Sequence, residues 1–269
     1  MTIVPADIAP EVISGGLRSR VIGRSLEVMA ETGSTNDVVM AAGRAGRPEG
    51  FAVLADRQTV GRGRRGHSWA SPAGLGLYTS VLLRPHQPLA RVSLLTLVAG
   101  LGVAHGIEEI AGMAIQLKWP NDVLVESRKV AGILAEMATT GEQVSYIALG
   151  IGINVNHGPR DLPEALFPTA TSLSIVTGKT FRRGELAAAV FSAIDRWYQL
   201  FRDGCVEALL AAGRERSATI GRWVDVLGDG ERWQGFAEDL DADGALLIRL
   251  EGGELRRVIA SDVSIRTSR

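Results

Sequence analysis

Apolar positions in this chain fall into short runs of strand length, broken by four stretches with helical spacing. Residues 26–30 read as a strand, Gly33-Ser34-Thr35-Asn36 as a turn ending in a helix N-cap, and residues 37–45 as a helix. Residues 51–55 form an apolar run fit for a buried strand, and Gly76–Leu83 alternates well enough for another, ended by Pro85 and Pro88. A long apolar stretch from Val92 to Ile110 predicts a core helix. Residues 115–117, 123–125, 130–137 and 144–155 then predict four consecutive antiparallel strands. Their separators, Pro120-Asn121-Asp122, Glu126-Ser127-Arg128 and Thr140-Gly141-Glu142, all have turn chemistry. Helical spacing returns at 186–201 and 206–212.

From about Ile220 the texture changes. Short strands are expected at 223–227, 233–240, 245–249 and 255–259, separated by Gly-Asp-Gly and Asp-Ala-Asp-Gly turns. Close spacing with tight turns predicts a small barrel of roughly fifty residues. The expected organisation is a loose arm with a short helix over 1–25, a main α+β domain over 26–218, and the small β-domain over 219–269.

Composition narrows the function classes. With 269 residues, 46% apolar and 22% charged, the chain is globular rather than disordered. Cys205 is its only cysteine, which excludes a disulfide framework, a cysteine-based zinc site and a CxxC redox centre. His67, His86, His105 and His157 show no metal-ligand spacing. The N-terminus lacks a basic region and apolar core of signal-peptide type. The Val92 to Ile110 stretch is interrupted by Gly100, Gly102, His105 and Gly106, and reads as a buried core helix rather than a membrane span. A cytoplasmic protein without a membrane partner is expected.

Charge is balanced globally at −1 but not locally. Between Arg57 and Ile107 there is no acidic residue, and six arginines (57, 62, 64, 65, 84, 91) gather there. Within that stretch lies Gly61-Arg62-Gly63-Arg64-Arg65-Gly66-His67-Ser68-Trp69. Local positive charge on a glycine-rich loop predicts a bound anion, approached closely by backbone. Read literally, residues 61–66 match the dinucleotide pattern G-x-G-x-x-G. However, the loop runs into Ser71-Pro72-Ala73-Gly74, which cannot open a helix, and the next acid is Glu108. The full P-loop pattern G-x-x-x-x-G-K-[ST] is absent. A nucleic-acid-binding module is a reading from another class, but only Trp69 and Tyr78 stand near as stacking platforms. A loop that orders over an anionic ligand accounts for both the glycines and the arginines.

A second constellation is Lys118-Trp119-Pro120-Asn121-Asp122 followed by Arg128-Lys129-Val130-Ala131-Gly132-Ile133-Leu134. Turns at 120–122 and 126–128 would bring Lys118 and Lys129 together, as a site for a polyanion plus a carboxylate. With the glycine-arginine loop and Gly150-Ile151-Gly152-Ile153-Asn154-Val155, these segments resemble the ordered motif set of biotin protein ligases. The resemblance covers about residues 26 to 265. It implies a class II synthetase-like catalytic domain with a mixed or antiparallel sheet, of the biotin/lipoate ligase type, followed by an SH3-like β-barrel.

The implied reaction is ATP-dependent and has two steps. Biotin's carboxylate attacks the α-phosphate to give biotinoyl-5′-AMP, and a lysine of a biotin carboxyl carrier domain then takes the biotinoyl group. The resemblance implies biotin contacts from Ser34, Thr35, Asn36, Gln58, Arg62, Gly63, Arg64, Lys129 and Gly132. It implies ATP contacts from Arg64, Arg65, Trp69, Lys118, Asn121 and Asn154, with Lys129, Arg64 and Lys118 as the catalytic groups. Asp122 is the candidate ligand for Mg²⁺, with capping of its own turn as the alternative. His67 stands where some relatives carry arginine. Family members that act as repressors carry an additional N-terminal DNA-binding domain. About twenty-five residues precede the first expected strand here, so no DNA partner is expected. A lipoate-protein ligase with the same fold and adenylate chemistry is the alternative enzyme.

Overall fold

The computed structural model describes residues 4–141, 143–228, 231–259 and 262–265. Glu142, in one expected turn, and Asp229 and Gly230, in another, lie outside these residues.

The main unit contains α1 (Pro10–Gly16), β1 (Ser25–Thr32), α2 (Thr35–Arg44), β2 (Phe51–Gln58), β3 (Gly76–Leu83) and α3 (Ser93–Ala111). It continues through β4 (Gln116–Lys118), β5 (Asp122–Val125), β6 (Arg128–Thr140), β7 (Gln143–Asn154), α4 (Leu173–Thr177), α5 (Arg183–Arg202) and α6 (Val206–Glu215). Its seven strands run in the order β1-β2-β3-β7-β6-β5-β4. Only β1 and β2 are parallel, so the sheet is mixed, and the four strands expected to be consecutive and antiparallel are so.

Strand alternation assigns the two faces. Leu77, Val81, Ile147, Leu149, Ile151, Ile153 and Ala131 point into the main core with α3 and α5. The opposite face carries Leu82 and Ala148, which pack with Val39 of α2, Phe51, Val53 and Tyr146 in a smaller core. Further along that second face, the pairs Ser80–Gly150 and Tyr78–Gly152 leave the sheet surface low. Helix α3 is long and apolar enough to cross a membrane by composition, yet Leu94, Leu95, Val98, Leu101 and Ile107 are fully buried inside the protein. It is the core helix the sequence predicts.

Three features differ from expectation. The N-terminal arm is not loose. Ile8, Ile13 and Ile22 are fully buried, and Asp195 of α5 accepts backbone hydrogen bonds from Arg20, Val21 and Ile22, each at 2.9 Å. Helix α2 starts at Thr35, two residues early, with Ser34 at the N-cap position. Thr35 and Asn36 turn their side chains into the protein, where they are 3% exposed, instead of capping a later start. The C-terminal unit has five strands rather than four: β8 (Arg222–Gly228), β9 (Glu231–Leu240), β10 (Leu246–Arg249), β11 (Leu255–Val258) and β12 (Asp262–Ile265). They form an antiparallel sheet ordered β11-β10-β9-β8-β12, in which the unexpected β12 pairs with β8.

Candidate active site

The second face of the main sheet opens into a cavity of about 1120 Å³. Its floor is made by the alternation on β6 and β7: Gly132 faces Gly152, and Leu134 faces Gly150. A Cβ on Gly150 would stand 2.4 Å from Asn36 Oδ1, and one on Gly152 would stand 2.5 Å from Trp69 Nε1. The glycines therefore let a helix residue and a loop tryptophan descend onto the sheet.

One end of the cavity is a hydrogen-bond chain. Gln58 Oε1 accepts from the Thr35 backbone N–H at 2.9 Å and from Thr35 Oγ1 at 3.1 Å, and Thr35 Oγ1 also lies 2.7 Å from Ser80 Oγ. Ser80 Oγ donates to Asn36 Oδ1 at 2.6 Å, and Asn36 Nδ2 donates to Glu136 Oε2 at 2.6 Å. Glu136 accepts from Arg62 Nη2 at 3.2 Å. Arg62 also forks Asp37 at 2.8 and 2.6 Å, which holds the Asp37 carboxyl below its usual range and raises the guanidinium further still. Ser34, 4% exposed, completes this lining. A fixed set of donors and acceptors of this kind suits a neutral polar ring.

The glycine-arginine loop folds as a small hairpin beside that chain. Arg62 bridges Ser68, Gly63 N–H donates to His67 O at 2.7 Å, and Trp69 N–H donates to Gly61 O at 2.9 Å. Gln58 Nε2 donates to Ser71 Oγ at 2.9 Å, tying the loop's return to the network. Trp69 lies across Gly132 and Gly152, with Lys129 Nζ 5.3 Å from its ring centroid. Its indole N–H is buried and has no hydrogen-bond partner among the described residues.

The cationic part of the cavity is built from β4, β5 and β6. Lys118 pairs with Asp122 across β4 and β5, and Asp122 pairs with Gly132 across β5 and β6. Lys129 Nζ stands 2.5 Å from Asp122 Oδ1, and Lys118 Nζ 3.9 Å from Asp122 Oδ2. Arg64 Nη1 donates to Asn121 Oδ1 at 3.4 Å. Asn121 Nδ2 is satisfied by Ile133 O at 3.0 Å. Asn154 Nδ2 donates to Thr171 O at 3.0 Å, which docks the 169–171 segment beside Lys129. His157, 1% exposed, also lines the cavity. Burial pushes its pKa down to about 4.

Ser34, Thr35, Asn36, Gln58, Arg62, Gly63, Arg64, Trp69, Lys118, Asn121, Asp122, Lys129, Gly132 and Asn154 all line this one cavity, as does His67. Arg65 does not. Its backbone is left-handed, with φ 52°, and its Nη1 donates instead to Leu227 O of β8 at 3.0 Å. Arg62 lines the cavity with its guanidinium paired to Asp37 and Glu136, a contact that fastens the loop. Asp122 makes no capping hydrogen bond among the described residues and stands as the shared counter-ion of two lysines. Sequence reasoning missed Glu136, Ser80, Ser71 and His157. Only the strand period, by placing Glu136 and Ser80 on the glycine face, could have found the first two.

Residues 29–154 match the model of the biotin/lipoate A/B protein ligase family, and residues 219–266 match the biotin protein ligase C terminal domain. The biotin--[acetyl-CoA-carboxylase] ligase of Mycobacterium tuberculosis is 35% identical over 267 residues, covering 95% of this chain and 96% of that protein. This chain belongs to the biotin protein ligase family. The bifunctional ligase/repressor BirA of Bacillus subtilis is 32% identical, over 97% of this chain and 80% of its own length. A biotin protein ligase from Aquifex aeolicus, solved in complex with biotin and ATP, superposes with a TM-score of 0.79 at 33% identity, covering 91% of this chain and all of that one. Membership of the biotin protein ligase family accounts for the second, small β-unit as well as the catalytic sheet.

No group of three or more His, Cys, Asp or Glu side chains placed to hold a metal ion occurs among the described residues. That donor set does not make an all-protein cage. Mg²⁺ carried by a nucleotide needs only one or two carboxylates, the remaining ligands being phosphate oxygens and water. Asp122 fits as that single carboxylate.

Proposed function

We propose that this chain is an ATP-dependent biotin protein ligase that forms biotinoyl-5′-AMP and passes biotin to a lysine of a biotin carboxyl carrier domain. The observation that carries this reading is one cavity holding both the Thr35–Gln58–Asn36 hydrogen-bond set and the Lys118, Lys129, Arg64 and Asn121 cationic set. The first suits the ureido ring, and the second suits a carboxylate and the phosphates beside it. Ser34 and Gly132 complete the biotin side. Trp69, Asn154 and Asn121 contact the nucleotide.

In the first step a biotin carboxylate oxygen bonds to the α-phosphorus and the bond to the β-phosphate oxygen breaks, releasing pyrophosphate. Lys129 and Lys118 stabilise the charge that builds on the α-phosphate oxygens and the leaving group. Mg²⁺, when bound, supplies further neutralisation of the phosphates, with Asp122 as its protein carboxylate. Arg64 retains the mixed anhydride. In the second step the carrier lysine's amine bonds to the acyl carbon, the bond to AMP breaks, and the amine proton passes to solvent. Neither step calls on a protein nucleophile, and the lone Cys205 is exposed at the start of α6, which fits that chemistry.

The catalytic unit spans 26–218 and the small β-unit follows from 219. The acceptor is the carrier domain of a biotin-dependent carboxylase such as acetyl-CoA carboxylase, in keeping with the names of two relatives. The cytoplasm is the proposed place of action, in keeping with the bacterial relatives. The match of residues 219–266 to the biotin ligase C-terminal domain favours biotin over lipoate. Competition between biotin and lipoate for single-turnover AMP release tests the choice. Biotin should support release and lipoate should not; release with lipoate alone would overturn it.

A further inference from the structure

The glycine-arginine loop leaves β2 at Gln58 and returns at Gly76, the first residue of β3. Both of its roots converge on one buried ionic cluster. Asp56 Oδ1 accepts the Gly74 backbone N–H at 2.9 Å and Arg183 Nη1 at 2.6 Å. The same Nη1 lies 3.3 Å from Gly76 O. Arg183 is the first residue of α5 and is 2% exposed. The remaining edge of its guanidinium forks Asp7 of the N-terminal arm, Nε at 2.8 Å and Nη2 at 2.9 Å. One side chain thus holds the outgoing root of the loop, the incoming root and the arm.

Position matters here more than charge. Gln58, two residues past Asp56, bonds both Thr35 and Ser71, so a shift at the root moves the hydrogen-bond set of the cavity and the loop's return together. Buried ion pairs contribute little net stability compared with apolar packing of the same volume, whereas their fixed geometry restricts which arrangement the chain adopts. A planar fork that satisfies three partners at once also cannot be replaced by a lysine. The arm has a separate anchorage at Asp195, through the N–H groups of Arg20, Val21 and Ile22, which does not touch the loop.

We infer that Arg183 is a positioning residue, which fixes the hinge of the glycine-arginine loop and ties it to the N-terminal arm through Asp7, so that the Asp7–Arg183 contact itself, rather than the arm's anchorage at Asp195, governs how long the adenylate is retained. The last clause rests on the ligase reading; the hinge itself does not.

The test uses the full-length chain with Arg183→Lys, Asp7→Asn and Asp195→Asn. Asp7 is partly exposed, so its variant folds even where a change at the buried arginine does not. Two quantities are read beside the melting temperature: the rate of limited trypsin cleavage after Arg62, Arg64 or Arg65 in the unliganded protein, and the half-life of bound biotinoyl-AMP. Loss of one charge-assisted hydrogen bond at the hinge should speed loop cleavage and shorten the half-life by on the order of tenfold in Arg183→Lys and Asp7→Asn. Asp195→Asn should lower the melting temperature without changing either. Unaltered loop cleavage in both hinge variants, with melting shifts like that of Asp195→Asn, would overturn the inference. If the unmodified protein forms no biotinoyl-AMP, the ligase reading fails, while the cleavage rates still decide the hinge.

Discussion

Lys129 Nζ stands 2.5 Å from Asp122 Oδ1, and the same carboxylate lies 3.9 Å from Lys118 Nζ. The cationic site is therefore pre-paired: the lysine that should meet the reacting carboxylate and α-phosphate is already oriented by a strand residue across the sheet. Lys129→Ala should lower the rate of adenylation by about 10²–10³-fold, equivalent to about 2.7–4 kcal/mol of lost preorganised stabilisation. Its side chain is about one-third exposed, so folding should suffer far less. Pyrophosphate release measured beside thermal melting checks both halves; near-normal release would remove Lys129 from its assigned role.

Arg64 reaches Asn121 Oδ1 from the loop, bridging the hairpin to the cationic strands. Arg64→Gly should let biotinoyl-AMP escape, so that lysines of bystander proteins become labelled without contact with the enzyme. Streptavidin blotting of a mixture of carrier domain and an unrelated protein reads this out. Labelling confined to the carrier domain would show that retention lies elsewhere.

Gly152→Ala places a methyl group 2.5 Å from Trp69 Nε1 and 2.6 Å from its Cε2. A rigid indole cannot yield by rotating a flexible end, and overpacking of this kind costs about 1–3 kcal/mol. Because Trp69 belongs to the loop, the strain should lift the loop off the sheet. Calorimetric titration should find biotin and ATP binding weakened about tenfold or more, the same penalty expressed as affinity. Unchanged affinities would mean that Trp69 packs elsewhere when ligands bind.

His157 adds a pH dependence to stability. Burial holds its pKa down to about 4, against an ordinary 6.5, so between those values the unfolded chain binds the proton that the folded chain refuses. Stability should be fullest above about pH 6.5 and fall as the pH drops toward 4. The single group contributes about 2 kcal/mol of that change between pH 7.5 and 5. Urea midpoints at the two pH values, compared in the parent and in His157→Gln, measure it. A pH effect of equal size in the variant would assign the dependence to other groups.

Most of this architecture was legible because hydrophobic period and turn chemistry agree along the chain. The strands around Pro120-Asn121-Asp122 and Glu126-Ser127-Arg128 brought Lys118 and Lys129 to one carboxylate as their spacing predicts. What stayed hidden depends on partners far apart in sequence. Glu136 is separated by 100 residues from Asn36, to which it bonds, and nothing local marks it as part of the site. Arg65 directly follows Arg64, which lines the cavity, yet turns away, because its left-handed backbone reverses the direction of the side chain. The arm looked loose because a segment this short carries no local sign of Asp195 and Arg183, the distant buried side chains that receive it.

Biotin-dependent exchange of labelled pyrophosphate into ATP tests the central claim most directly, since it needs the cavity to hold both ligands and to join them. Exchange should be absent with ATP alone, should appear when biotin is added, and should fall by two to three orders of magnitude in Lys129→Ala. Exchange that proceeds equally without biotin, or none with biotin and Mg²⁺ present, would contradict the account.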